Sequence, residues 1–283
     1  EELGESIPTG DAAFYHPDND RLSRHGTQLD VALREVGVSP HTRVALVVEG
    51  ETEVLLVRRI LEHLGHGPTP AGLDVIPMRG VRNKERIMRL AAHLATPIVT
   101  DSYPDRYHTL RPLCRVVVAT DPEAPMDQPA EFKAKLISLI RQGLEDQGID
   151  DVDPESLEWL VTVETWGQPF EFEHFTDTEI AGALLQLDPC PLPRGSTLES
   201  AQVFVASARL ARRSLTKHAS RLSKTALADK LWPLLREKID AAIRDDVEAP
   251  PLVGVVHEAH LMAADAMDRN WTLTRLAEPE PTA

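Results

Sequence analysis

Arg43-Val-Ala-Leu-Val-Val-Glu-Gly-Glu-Thr-Glu53 is the stretch on which the fold turns. Its first part, Val44–Val48, is a short β-branched apolar run, the pattern of a strand buried on both faces. Glu49 stands at the strand's carboxyl end, Gly50 suits a tight turn, and Glu53 falls in the first turn of the helix that follows. Over Glu51–Leu64 the apolar residues Val54, Leu55, Val57, Leu61 and Leu64 recur at helical spacing. The same alternation continues outward. Leu73–Ile76 reads as a weaker strand, Asn83–Leu94 as a helix, Arg115–Ala119 as a buried strand, Ala130–Glu145 as a helix and Leu157–Val163 as a fourth strand. Alternating apolar strands and helices predict an α/β fold with a parallel sheet covered on both faces. Sites in such folds lie in the crevice beyond the carboxyl ends of the strands.

Those carboxyl ends are acidic. Asp121-Pro-Glu123 follows the third strand directly, and alternate residues of an extended segment share a face. The segment after the fourth strand supplies Glu171-Phe-Glu173, read as a second alternating pair and framed by Phe170, Phe172 and Phe175. Carboxylates converging from three strand exits would repel unless divalent cations lay between them. An all-oxygen donor set suits Mg²⁺ or Mn²⁺, whereas zinc favours His or Cys. Two such ions can activate water and stabilise a leaving oxygen in phosphodiester cleavage. A plainer reading stands beside this one, because a single Glu at a helix start is also stabilised by the helix dipole.

VVEGETE, followed about 70 residues later by an apolar strand and D-P-E, resembles the TOPRIM fold of topoisomerases, primases and nucleases. With the helix-entry Glu53 and the later FEFEHF segment, the resemblance is strongest to the nuclease domain of the OLD (overcoming lysogenisation defect) family and covers roughly residues 43–235. The resemblance implies a TOPRIM (Rossmann-like) parallel sheet flanked by helices, and a metal-dependent DNA endonuclease using two Mg²⁺ or Mn²⁺ ions. Glu49 and Glu53 would match its first acidic motif, Asp121 and Glu123 the second, and Glu171 and Glu173 a third metal-binding pair. Glu49 would be general base or ligand. D-x-D is usual at the second motif, so Glu123 departs from it by one methylene. That departure keeps open a degenerate TOPRIM module that binds nucleic acid or a partner protein without cleavage. OLD-family nucleases resemble fusions to an upstream ATPase, and the chain opens on Glu1 rather than Met, so an ATPase domain upstream or in a partner chain is an expected partner. The resemblance is compatible with a homo-oligomer.

The chain's charge also bears on its partners. The 283 residues carry a formal net charge of −15, which alone would oppose a polyphosphate partner. Its distribution reverses that expectation. Ser200–Ala228 contains no acid, yet carries Arg209, Arg212, Arg213, Lys217, Arg221 and Lys224. With Ala208, Ala211, Leu215 and Leu222 as an apolar stripe, the segment predicts amphipathic helices whose cationic face binds DNA phosphates. Arg79, Arg82, Lys84, Arg86 and Arg89 form a second cluster. A solvated helix face is the plainer reading of each. In OLD-type nuclease domains a lysine sits near the start of a helix after the acidic motifs; Lys224 matches that position best, with Lys230 as the alternative.

The remaining features bound the answer. Residues 1–40 read as an irregular lead-in with a short helix at Thr27–Val36, 41–178 as the α/β domain, and 179–283 as a helical appendage packing on it. Two cysteines cannot form a disulfide framework, and Cys114 reads as core filler. No apolar run approaches the ~20 residues needed to span a bilayer, so no membrane partner and a cytoplasmic setting are expected. His257 and His260 have spacing three, not the four of zinc-hydrolase helices, and read as surface or packing histidines. His174, read as strand, would point away from the acidic site. Tyr15, Tyr103 and Tyr107 lie in loop contexts, which disfavours strand passage.

Overall fold

The computed structural model describes residues 41–67, 72–78, 84–122, 129–212, 215, 219, 222–264 and 271–276. The lead-in, with its expected helix at 27–36, lies outside these residues, as do Arg79, Arg82, Glu123, Arg213, Lys217 and Arg221 and the side chain of Lys84.

Four parallel strands form the central sheet: β1 (Val44–Val48), β2 (Leu73–Pro77), β5 (Arg115–Thr120) and β6 (Val161–Thr165), in the order β2-β1-β5-β6. β1 is paired on both sides, Val44 with Leu73 and with Arg115, and all five of its residues are buried. Side-chain alternation divides it between two cores. Val44, Leu46 and Val48 face one layer, Ala45 and Val47 the other. The first layer contains α1 (Glu51–His63) through Leu56, Val57, Ile60 and Leu61, together with α6 (Asp177–Leu185), α7 (Leu198–Leu210), α8 (Lys224–Asp245) and α9 (Pro251–Ala264). The second contains α2 (Lys84–Ala95) and α3 (Pro129–Glu145). Helices therefore cover both faces of the sheet, as the buried strand pattern requires.

Three features depart from the sequence reading. Leu157–Trp159 belong to a short helix, α4 (Pro154–Trp159), capped by Asp153, whose side chain accepts from the Glu155 N–H; the fourth strand starts only at Val161. Pro154 at the first helical position and Asp153 before it are the N-terminal helix signal that the apolar pattern hid. Second, the Tyr103–Tyr107 loop is a hairpin. β3 (Val99–Ser102) and β4 (Arg106–Thr109) pair antiparallel, and β7 (Thr272–Thr274) adds to β4, so a strand interrupts the expected all-helical C-terminal region. Arg275 holds this small sheet in place: it donates to Asp151 and to the Tyr103 carbonyl and stacks over the Tyr107 ring, whose hydroxyl also bonds Asp151. Third, Phe170–His174 is one helical turn, α5, rather than strand.

α5 is locked to α9 by His174. The ring is 3% exposed. Its Nε2 accepts the Leu252 N–H at 2.9 Å, so Nδ1 carries the proton and donates to the Phe170 carbonyl at 2.8 Å. Burial drives its pKa down to about 4, so the ring is neutral at physiological pH. Truncation would leave a helix-terminal N–H unsatisfied in a buried setting. His174→Ala is expected to cost about 1–3 kcal/mol in urea denaturation at pH 8; an unchanged midpoint would contradict this pinning role.

Candidate active site

The strand order places the reversal between β1 and β5: the chain leaves β1 toward β2 on one side and returns to β5 on the other. Beyond the carboxyl ends of these two strands stand Glu49 and Asp121, at the crevice where open α/β sheets bind ligands. The two are in contact, because the Asp121 N–H donates to Glu49 Oε2 at 3.3 Å. Asp121 is 5% exposed and its Oδ1 accepts the Phe170 N–H at 2.7 Å, which ties the start of α5 to the end of β5. Trp166 also donates its N–H to the Thr120 carbonyl at 3.0 Å, so the chain leaving β6 is turned back over the site.

Glu53, one turn into α1, is 6% exposed, and Glu171 is 5% exposed. Gly50 separates Glu49 from α1 in an extended conformation (φ −144°, ψ −178°) that any residue could adopt. Its reason is space instead of turn geometry. A Cβ at position 50 would stand 3.1 Å from both Glu53 Oε2 and Lys224 Nζ. That pair of distances also places Lys224, the first residue of α8, at the carboxylates. Thr52, which the sequence reading passed over, is 2% exposed and donates its hydroxyl to the Lys224 carbonyl at 3.3 Å, seating the start of α8 on the start of α1. No local pattern marks it, because its partner lies 172 positions away in the chain.

The electrostatics show what the geometry costs. Burial raises the Glu53 pKa to about 7, with Glu171 and Glu49 pushing the same way against Lys224 and a backbone hydrogen bond. Burial likewise raises Asp121, reinforced by Glu49, Glu171 and Glu53 and opposed by the Phe170 N–H. Glu53 Oε2 is buried and meets no hydrogen-bond partner among the described residues. An oxygen-only set of mutually repelling carboxylates, one with an orphaned buried oxygen, fits a hard divalent cation. Among the described residues, however, no three His, Cys, Asp or Glu side chains are close enough together to hold an ion as placed.

The six sequence-predicted carboxylates therefore divide. Glu49, Glu53, Asp121 and Glu171 come together, Glu123 lies outside the described residues, and Glu173 does not join them. On the helical turn α5, residues two apart point to opposite sides, so the alternating-pair expectation fails. Glu173 is instead directed at Gly167, where a Cβ would meet its Oε2 at 3.3 Å.

The basic segment divides in the same way. Arg209 is not a free cation. Its guanidinium pairs with Asp177 at 2.8 Å, donates to Gln168 Oε1 and to the Phe172 and Phe175 carbonyls, and lies over the Phe172 ring. It satisfies the end of α5, so the side chain expected to meet DNA is engaged in a structural clasp. Arg212 is exposed just past α7. Arg86 and Arg89 are exposed on α2, Arg89 pairing with Glu85. Lys230 is exposed on α8. Among the HEAH histidines, His260 stacks on His66 at 3.7 Å and His257 lies 6.2 Å from it, joining the end of α1 to α9. Cys114 is buried and its thiol is pushed up to about 12 by burial, as befits a core residue.

Residues 42–101, which span β1, α1, β2, α2 and the start of the hairpin, match the family model described as overcoming lysogenization defect protein-like, TOPRIM domain. The chain is similar to two structures of the C-terminal region of the Xanthomonas campestris pv. campestris OLD protein, one phased with iodine and one with mercury, each at 18% identity. The first covers 79% of this chain and 96% of the other at a TM-score of 0.46; the second covers 80% and 96% at 0.41. No curated protein matches. The chain is thus an α/β protein with a four-stranded parallel sheet flanked by helices, and its residues 42–101 are similar to the OLD-like TOPRIM domain.

The raised carboxyl pKa values make stability depend on pH. Between the unfolded pKa near 4 and the raised folded value, the native state binds more protons than the unfolded state, so stability falls as pH rises. In EDTA the thermal midpoint should therefore decline from pH 5 to pH 8, and Asp121→Asn should flatten the decline. A variant with the same slope as the wild type would remove Asp121 from this cluster.

Proposed function

We propose that the chain is a divalent-metal-dependent DNA endonuclease, with Glu49, Glu53, Asp121 and Glu171 holding the metal and Lys224 serving the phosphate. The single observation that carries this reading is the gathering of four carboxylates and a lysine at the switch point of a parallel sheet, in a chain whose residues 42–101 match an OLD-like TOPRIM domain. The TOPRIM domain is the nuclease region of OLD proteins, which supports DNA as the substrate and an ATPase domain as a partner in this chain's setting. Among the described residues no helix is long and apolar enough to cross a membrane.

Each group has a part that its position supports. Glu49, Glu53, Asp121 and Glu171 supply hard oxygen ligands, and Glu123 is the natural further donor. When bound, Mg²⁺ or Mn²⁺ would activate water as the nucleophile and offset negative charge on the phosphodiester. Glu49, at the strand end, serves as ligand or as the base that takes the water's proton. The Lys224 ammonium, at the carboxylates yet outside any ion pair among the described residues, stabilises the extra charge that develops on the phosphate oxygens. Arg212, with Arg213, Lys217 and Arg221, would contact the backbone phosphates of the DNA.

A second reading is favoured by one observation. Glu123 stands where the second acidic motif of the resembled family usually has an aspartate, which suits a module that binds nucleic acid without cutting it. Supercoiled plasmid separates the two. Incubated with Mg²⁺ or Mn²⁺, the wild type should nick it; EDTA or the Glu49→Ala/Asp121→Ala variant should abolish nicking. Lys224→Ala should slow nicking about 10²-fold while Mn²⁺ affinity, read by calorimetry, is retained. Retardation of the plasmid with no metal-dependent nicking would select the binding module.

A further inference from the structure

At the opposite end of the sheet from the carboxylates lies a cavity of about 430 Å³, within the size range of small-molecule sites. α2 and α3 each follow a parallel strand and run back toward the strands' amino ends, so their last turns gather there. Arg111, four residues before β5 begins, joins them. The floor is apolar. Ala92 and Leu139 form it together with Ile98, which remains 43% exposed within this concavity. One wall is fixed by Gln147, which donates to the Pro97 and Gly143 carbonyls at 2.9 and 3.0 Å and accepts the Val99 N–H at 3.1 Å.

The rim is cationic. Arg89 and Arg111 give it that charge, and Asp146 is the one acid in the lining. The Arg111 guanidinium makes no hydrogen bond or ion pair among the described residues. Its charge is nevertheless felt in the protein, where it depresses the His41 pKa behind the larger effect of burial. A half-buried guanidinium with no ion pair among the described residues can take up an anion, since its fork of donors matches two oxygens of one phosphate. Arg89 is restrained by an exposed pair with Glu85 on its own helix, at 2.9 Å, which competes weakly with a doubly charged oxyanion.

We propose that this cavity binds a small organic phosphate of mononucleotide size, with the phosphate on Arg111 and Arg89 and the ring over Ile98, Ala92 and Leu139. Asp146 then accepts from a sugar hydroxyl or an amino group. The apolar floor is what separates this ligand from inorganic phosphate. A single unpaired guanidinium, in place of a row of cations, separates it from a nucleic-acid strand.

Calorimetric titration in EDTA keeps the carboxylate centre out of the measurement. AMP should bind the wild type saturably, Arg111→Gln should weaken it about tenfold or more, and the exposed Arg89→Gln should weaken it less. Inorganic phosphate should bind more weakly than AMP, and a thymidine oligonucleotide without terminal phosphates should not compete with it. The Glu49→Ala/Asp121→Ala protein should retain AMP binding in full, so loss of nicking and loss of this site are separate results. Absence of saturable AMP binding, equal affinity in both arginine variants and wild type, phosphate binding as tight as AMP, or binding confined to the oligonucleotide would each overturn the proposal.

Discussion

Everything at the candidate site depends on burying like charges together. β1 is paired on both edges and packed on both faces, so its carboxyl end is held rigidly beside that of β5. Glu49 and Asp121 cannot separate without breaking the sheet, and α1 and α5 bring Glu53 and Glu171 against them. Such a cluster is destabilising in itself, because each ionised carboxyl both loses solvation and repels its neighbours. The two apolar layers of the sheet provide the stability against which this cost is set. A protein that keeps so costly an arrangement has placed its charge where a cation would relieve it.

The cations of the chain are used for two different purposes. Arg209 is committed to Asp177, to Gln168 and to two backbone carbonyls at the end of α5, and Lys238 similarly joins the His174 carbonyl to Glu179. These residues hold α5 in the place from which Phe170 can donate to Asp121. Lys224 is the other kind. It sits at the first turn of α8, where the helix dipole disfavours a cation, and it is offset there by Glu53. A run of like charges in the sequence thus contains both a structural clasp and a site-facing group, and composition cannot distinguish them.

Much of the fold was legible because its signals are local. The β-branched run Val44–Val48, the helical spacing over 51–64 and the RVVVAT strand each report burial through periodicity, and the parallel sheet follows from their alternation. The errors arose where a local signal competed with context. Leu157–Trp159 are as apolar as a strand, but Pro154 and Asp153 start a helix. FEFEH alternates like a strand, yet the hydrogen bond from Phe170 to Asp121 nucleates a helical turn, and that turn sends Glu171 inward and Glu173 away. The hairpin of β3 and β4 was invisible because its third strand comes from residues 272–274, more than 160 positions later.

By itself, then, the sequence determined the strands of the parallel sheet, the main helices and the kind of chemistry available: oxygen ligands at strand exits and a lysine at a helix start. Burial period and residue type are written position by position, so they can be read that way. Only the tertiary structure decided which charges meet. It selected Glu171 over Glu173, turned Arg209 inward, brought Lys224 to Gly50, and left Arg111 without an ion pair among the described residues in a cavity at the other end of the sheet. Those outcomes depend on strand order and on contacts between residues that are far apart in the chain, and no local pattern encodes a distance of that kind.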